Sequence, residues 1–276
     1  MFNQSQSTGS RPEPSPALTV SGFLERAPGG QLPAPGNLWG FGGLHGGLAL
    51  AAAAARITGT QAGILRSITG RFDSAIRTPF HITAEPVRSG GAISTARARM
   101  ASEDQTHAAA WAILSTGAPL KAPVLAPPPP VVPHWKDCAV FTVPPAFVPF
   151  AASTEIRPAG TTRPFGGHAE ARLCAWIRLL DDDAAPDPAR LIFLADALAP
   201  SYSAVLTELA PMPTLELSVH LSGRPAGSSP WVLLSARTPA ASPEGWITED
   251  IDLWNEDGIH LAAARQLRIL RTPREP

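Results

Sequence analysis

Hydrophobic and polar positions along the chain form two similar blocks, each with one helical pattern followed by four strand-like runs. In the first block, residues 41–57 begin at a glycine-rich turn and are full of alanine, which has the highest intrinsic helix propensity. The strand-like runs that follow are separated by glycine-rich or polar turns, which is typical of antiparallel strands. These runs cover residues 64–76, 80–88, 92–101 and 107–115.

The second block repeats this order about 150 residues later. A helix is predicted over residues 188–209, followed by strands over 214–221, 231–238, 245–254 and 259–271. The turn that starts at Asn255 stands 153 positions after the corresponding turn at Ser102. One long helix on one face of a curled antiparallel sheet is a stable α+β layering. We therefore expect two such units in tandem, with their sheets joined edge to edge and both helices on one side.

A proline-rich segment divides the two blocks. Six of the thirteen residues from 121 to 133 are proline, which favours a semi-rigid polyproline II connector. A length of 276 residues fits two domains of roughly 100–150 residues each. We expect a disordered tail at 1–15, an N-terminal domain at 16–120, a linker at 121–138 and a C-terminal domain at 139–276.

Composition and charge exclude several classes of function. The net charge is −1 without a block of Lys or Arg, which disfavours nucleic acid and anionic membrane as partners. The first sixteen residues contain no apolar signal-peptide core, so we expect a cytoplasmic protein. Cys138 and Cys174 match no metal-ligand spacing, and no metal or other cofactor is expected. The low charged fraction of 16% leaves apolar surface for contacts between domains or subunits, so the sequence is compatible with a homo-oligomer.

The repeat allows the two blocks to be compared position by position. Three polar side chains of the second block, Asp196, Thr214 and Gln266, fall opposite small or apolar residues of the first. Their counterparts lie at residues 43–46, Ile64 and Ile113, with His45 as the one polar exception. Because burying an isolated carboxylate is costly, Asp196 among leucines and alanines must be paired, hydrated or functional. The asymmetry predicts one site per chain.

Several short motifs carry a family resemblance. Phe41-Gly42-Gly43 opens the first predicted helix, and residues 87–97 resemble a characteristic turn and strand. In the second block, residues 176–178, 194–196, 214–217 and 253–266 follow in the matching order. Together, over residues 18–271, they resemble the double-hotdog acyl-CoA thioesterases, in particular the acyl-CoA thioesterase II family. The resemblance implies a tandem hotdog fold, a role in lipid metabolism, and Asp196, Thr214 and Gln266 as catalytic residues.

The residue types suit hydrolysis of an apolar acyl-CoA thioester by water. Asp196 is expected to act as general base, with partial burial raising its pKa towards a useful value. Gln266 offers a donor and an acceptor that hold the water, and Thr214 adds a hydroxyl. Gly42 and Gly43, at the predicted helix N-terminus, would stabilise the oxyanion through backbone N–H groups. His45 would touch the acyl-CoA, and the alanine-rich stretch 48–55 would form part of the lining of an acyl tunnel.

Other interpretations stay open at this point. Asp196 could face solvent, Thr214 could simply start a strand after Pro213, Gln266 could satisfy a backbone group, and the two glycines could only permit a turn. A hotdog hydratase or dehydratase would use an Asp–His pair, and no His lies within a turn or two of Asp196 along the sequence. The third possible function is that of a protein that binds acyl-CoA without catalysing a reaction. The absence of G-x-S-x-G disfavours a serine hydrolase.

Overall fold

The computed structural model describes residues 17–103, 105–116 and 122–271, so the tail expected at 1–15 lies outside the described residues. The helices are α1 (Val20–Arg26), α2 (Gly46–Thr58) and α3 (Pro188–Ala195). The strands of the first half are β1 (Gln31–Leu32), β2 (Ile64–Phe72), β3 (Phe80–Arg88), β4 (Ile93–Ala101) and β5 (Thr106–Ser115). Those of the second half are β6 (Thr154–Pro158), β7 (Arg172–Leu179), β8 (Thr214–Leu221), β9 (Val232–Ala241), β10 (Trp246–Asn255) and β11 (His260–Ile269).

All eleven strands form one antiparallel sheet in the order β1-β3-β4-β5-β2-β8-β11-β10-β9-β7-β6. The two halves meet where β2 pairs with β8, and each half continues outwards in the same order, so β4 and β10 occupy equivalent places. At this junction Ile68 and Val219 are paired and fully buried on one face. The prediction of one extended sheet, built from two hotdog units in an α+β fold, is confirmed.

The inner face of the sheet carries the main core. Helix α2 packs against α3, and both helices belong to one buried apolar cluster with the inward-facing residues of the strands. Helix α2 is buried on nearly all sides, because its many alanines offer no polar face. Its position over the sheet brings its first turn against the end of α3, where the two halves of the chain meet.

Both helices are shorter than the sequence pattern predicts. Helix α3 ends at Ala195 instead of residue 209, because Pro200 has no N–H and its ring would clash with the carbonyl of Asp196 four positions earlier. Helix α2 starts at Gly46 instead of residue 41, and His45 is its N-cap. The preceding residues form a tight turn in which Gly42 has a φ of +83° and Gly40 N–H donates to the Gly43 carbonyl over 2.8 Å.

Some elements were not predicted. Helix α1 has Thr19 as its N-cap, and the short strands β1 and β6 pair at the two outer edges of the sheet. Strand β6 also gives the second half two strands before its helix. Residues 176–178, which carry part of the family resemblance, lie in the other strand, β7. The short edge strands have too few residues to show a period-2 pattern.

The proline-rich segment between the halves lies on the outer face of the second half. Trp254 Nε1 donates to the Pro127 carbonyl over 3.0 Å, and Trp176 Nε1 donates to the Pro133 carbonyl over 2.9 Å. These indoles belong to a second, smaller apolar cluster that also includes Trp231 and both cysteines. The segment therefore covers apolar surface as well as connecting the two units.

Candidate active site

Asp196 is the residue that immediately follows α3, and its carboxylate is buried. Oδ1 accepts hydrogen bonds from Gln266 Nε2 at 2.8 Å and from Arg268 Nη2 at 3.1 Å. Oδ2 accepts one from the backbone N–H of Gly47 at 2.8 Å, in the first turn of α2. The carboxylate of the second half is thus bound to the helix N-terminus of the first half, whose dipole favours a negative charge.

Thr214 and Gln266 come from neighbouring strands of the second half. Thr214 is the first residue of β8, and Gln266 lies on the inward face of β11. Thr214 Oγ1 donates to Gln266 Oε1 over 3.2 Å, and the Gln266 amide in turn donates to Asp196. The three side chains that the sequence singled out form one continuous hydrogen-bonded chain.

Gly42 and Gly43 are not at a helix N-terminus, and that part of the expectation is wrong. The Gly42 carbonyl accepts a hydrogen bond from Arg77 Nε at 2.6 Å, and Gly42 N–H donates to Gly40. The glycines that open α2 are Gly46 and Gly47. A Cβ at Gly47 would lie 2.6 Å from the Cβ of Asp196, so only glycine fits where the two halves meet.

His45 lies in space beside Asp196, although it is remote in the sequence. Its Nδ1 accepts the Leu48 N–H over 3.3 Å, so its Nε2 carries the hydrogen and donates to the Asp196 backbone carbonyl over 2.9 Å. Nε2 is also 3.4 Å from Asp196 Oδ2. Burial lowers the pKa of His45, which keeps the ring neutral in agreement with this tautomer. Both ring nitrogens hold protein groups, so any contact with a ligand would be through the ring itself.

A cavity of about 690 Å³ opens beside these residues. Its walls come from both halves of the chain and are mainly apolar; they include Phe72, Val143, Phe147, Phe150 and Leu173. Gly43, His45, Asp196 and Thr214 also line it, whereas Gly42 is not part of its wall. The volume is within the usual range of about 300–1,000 Å³ for small-molecule sites.

Two family models match this chain. The acyl-CoA thioesterase N-terminal domain matches residues 34–116, and the acyl-CoA thioesterase C-terminal domain matches residues 126–270. The chain belongs to the acyl-CoA thioesterase family. It is a thioester hydrolase, and the resemblance drawn from its short motifs is confirmed.

Solved structures agree on the fold of this thioesterase. A hot dog protein of unknown function from Alicyclobacillus acidocaldarius superposes with a TM-score of 0.81 at 22% identity, over 91% of this chain and 98% of that one. A putative thioesterase II from Thermobifida fusca gives 0.76 at 21% identity, over 88% and 92%. An acyl-CoA thioesterase II from Mycobacterium marinum gives 0.67 at 20% identity, over 83% and 90%. A search of curated proteins found no match.

Two observations concern membranes and metals. No helix among the described residues is long and apolar enough to cross a membrane. Within the same residues, no cluster of three or more His, Cys, Asp or Glu side chains could hold a metal ion.

Two buried charged residues of the candidate site were not predicted from the sequence. Arg268, two positions after Gln266 on β11, donates through Nε to Glu249 Oε2 over 2.9 Å as well as to Asp196. Glu249 lies on β10, directly across from Gln266. Both residues are almost fully buried on the inward face of the sheet.

A comparison of the two halves identifies both residues when buried strand positions of one half are matched with buried positions of the other. Gln266 is buried, whereas its assigned counterpart Ile113 is 45% exposed on the outer face, so the alignment was one residue out of register. The inward-facing counterpart on β5 is Ala112. With this register Arg268 corresponds to Leu114 and Glu249 to Ala96. The polar residues of the second half thus replace an entirely apolar patch of the first.

The pKa of Asp196 is lowered, which is opposite to the expected direction. Burial alone would raise it, but nearby positive charge and the hydrogen bonds from Gln266 and Gly47 outweigh burial. His45 contributes only when protonated, and its own lowered pKa makes it neutral near pH 7. The charges of His45 and Arg268 together hold the pKa of Asp196 below its usual range, and Arg268 is the one of the two that is charged at every pH.

The alanine-rich stretch of α2 lines the cavity at one position. Ala51 and Ala52 are fully buried in the core, and of residues 48–55 only Ala49 reaches the cavity wall. The small side chains of this helix mainly allow close packing against the sheet and α3.

Ala49 should therefore limit the length of the acyl chain. We expect Ala49→Leu to shorten the preferred acyl group by about three methylenes, since burying each is worth about 0.8 kcal/mol and leucine fills that space. The measurement is kcat/KM across saturated acyl-CoAs of increasing length. Ala62→Leu, at an exposed position outside the cavity, is the control. An unchanged chain-length preference in folded Ala49→Leu protein would show that the acyl group lies elsewhere.

Proposed function

We propose that this thioesterase hydrolyses acyl-CoA thioesters with an apolar acyl group, by direct attack of a water held by Asp196, Gln266 and Thr214. The main support for this proposal is the continuous hydrogen-bonded chain from Thr214 through Gln266 to Asp196 at the wall of a mainly apolar cavity. An apolar wall suits an acyl chain, and the polar chain lies at a single place along it.

The hydrogen bonds of Asp196 leave one acceptor position of its carboxylate unused. A carboxylate has about four acceptor positions. In Asp196, Oδ1 receives Gln266 and Arg268, and Oδ2 receives Gly47, so Oδ2 retains an acceptor position for a water. Gln266 is buried behind the cavity wall, and its amide fixes the two side chains that reach the cavity, because it accepts from Thr214 and donates to Asp196.

The reaction balances without a cofactor. The water oxygen forms a bond to the thioester carbonyl carbon while its proton moves towards Asp196. Collapse of the tetrahedral intermediate breaks the C–S bond, and the thiolate of CoA takes up a proton. The products are the free acid and CoA. With its low pKa, Asp196 is a weak base in the ground state, so most of its contribution is to orient the water and stabilise its developing positive charge.

The hydratase alternative gains one observation from the structure, because His45 and Asp196 are neighbours. However, both His45 nitrogens hold protein groups, and Phe150 packs on the ring with centroids 4.0 Å apart. A hydratase would need a free ring nitrogen to transfer a proton. The geometry therefore favours hydrolysis.

A panel of saturated and 2-enoyl acyl-CoAs of several chain lengths tests the proposal. We expect thiol release, followed with a thiol reagent, together with an equal amount of free acid. Loss of the enoyl absorbance without thiol release would overturn the proposal in favour of a hydratase. Binding by calorimetry without either reaction would overturn it in favour of a binding protein.

A further inference from the structure

Arg268 connects three parts of the site. Its guanidinium donates to Asp196 Oδ1 at 3.1 Å, to Glu249 Oε2 at 2.9 Å and to the Met212 carbonyl at 3.3 Å. Met212 lies two residues before Thr214. Glu249 Oε1 accepts the Ser201 N–H at 2.5 Å, in the turn that follows Asp196. One ion pair thus fixes the segment carrying the carboxylate and the segment leading to the hydroxyl.

We propose that Arg268, anchored by Glu249, is the positioning residue of this site, and that it fixes both the orientation and the negative charge of Asp196. The inference rests on the proposed role of Asp196 in hydrolysis. Arg268 also lines the cavity, but each of its three nitrogens donates to a protein oxygen, so we place its action through Asp196 and Met212.

Stability alone does not account for this arrangement. Each buried charge costs several kcal/mol to desolvate, and replacing a buried ion pair by apolar residues is often neutral or stabilising. The first half shows that the fold accepts the apolar solution, with Ala96, Ala112 and Leu114 at the corresponding positions. The charged set occurs only in the half that carries Asp196, which ties it to the site.

The charged groups that face Asp196 determine in which direction its pKa moves when Arg268 is removed. His45 faces it from the N-cap of α2, Arg268 from β11, and Glu249 from β10 behind Arg268. Asp73, Arg77, Arg163 and Arg271 line the same cavity from more exposed positions. With Arg268 and Glu249 both removed, Asp196 keeps its burial but loses its nearest permanent positive charge. Its pKa should therefore rise, and an ionised carboxylate should be lost as pH falls towards 5.

Three variants separate charge from position. Arg268→Met combined with Glu249→Gln removes both members of the pair without leaving a single buried charge. Its thiol release should fall between pH 7 and pH 5, whereas wild-type activity stays flat, and the midpoint of the fall should lie about 1–3 pH units above that of wild type, since opposite charges at this distance shift a pKa by that amount. Glu249→Gln alone keeps Arg268 and should stay flat in pH. Arg268→Lys keeps the charge and should also stay flat, but with reduced kcat because the three-way contact is lost.

A second readout does not depend on activity. In protein labelled with ¹³Cγ aspartate, the Asp196 signal, assigned with Asp196→Asn, should be constant from pH 7 to pH 5 in wild type and titrate in the double variant. A folded double variant with a flat rate profile and a constant Asp196 signal would overturn the inference. A titrating signal in a protein that hydrolyses no acyl-CoA would support the control of Asp196 by Arg268 and overturn the proposed function instead.

Discussion

We expect Asp196→Asn to lower thiol release by about 10²–10⁴-fold while the fold and acyl-CoA binding persist. Asparagine has the same shape but no charge, so it can neither orient the water as strongly nor accept its proton. One of its amide ends must face donors, which costs about 1–3 kcal/mol. In return, the buried cluster of Asp196, Arg268 and Glu249 becomes neutral overall, because residue 196 no longer adds a second negative charge. The variant should therefore fold.

The measurement is kcat and KM with the best acyl-CoA, together with calorimetric binding. Asp250→Asn is the matched control. Asp250 forms ion pairs with Arg237 at 3.3 Å and with Arg265 at 3.7 Å, and it does not line the cavity. Gln266→Ala should lower kcat less than Asp196→Asn does. The double change should cost less than the product of the two single losses, because both hold one water. Near-normal turnover by folded Asp196→Asn protein would remove Asp196 from the mechanism.

The second large effect is expected at Gly47. Its missing side chain lets α2 approach the end of α3, and a Cβ there would lie 2.6 Å from Asp196 Cβ and 3.2 Å from the Phe193 carbonyl oxygen. Alanine would favour the helix by about 1 kcal/mol. Overpacking costs about 1–3 kcal/mol, so the clash wins. Gly47→Ala should move Asp196 away from Gln266 and lower kcat by about 10²-fold, the loss that a misplacement of about 1 Å produces.

Gly36→Ala is the control for this substitution, because a Cβ at Gly36 would meet no atom within 4 Å. It should leave both kcat and the free energy of unfolding close to the wild-type values. Equal behaviour of the two alanine variants, with Gly47→Ala fully active, would show that the close contact between the two halves is not needed for turnover.

The sheet was predictable from the sequence because each long strand is flanked by a turn with its own chemical signal. Strands β3 and β8 have the bounds that the pattern predicts, and the joining of the two sheets followed from the repeat. The helix limits were harder to predict. Two glycine pairs, at 42–43 and 46–47, both resemble a helix start, and histidine is not among the preferred N-cap residues that would have marked the second.

The candidate site was predictable only in part. Asp196, Thr214 and Gln266 stood out because the first half has apolar residues where they lie. Arg268 and Glu249 were missed since the comparison was one residue out of register, which exchanges the two faces of a strand. The contact of Asp196 with His45 and Gly47 joins residues about 150 positions apart, so no local pattern contains it. The direction of the Asp196 pKa shift depends on the charges of His45 and of the missed Arg268, neither of which the sequence places beside Asp196.

The most direct test of the central claim is a single turnover in H₂¹⁸O, with the thioesterase in excess over acyl-CoA. If water held by Asp196 attacks the thioester carbonyl, the first acid released carries one ¹⁸O atom and the mass of the protein does not change. If Asp196 were instead the nucleophile, an acyl–Asp196 mixed anhydride would form. Attack of water at the Asp196 Cγ of that anhydride would release a first acid with an unlabelled oxygen from the carboxylate, and the protein would gain ¹⁸O. Labelled acid with unlabelled protein is the result we expect, and unlabelled acid with labelled protein would contradict it.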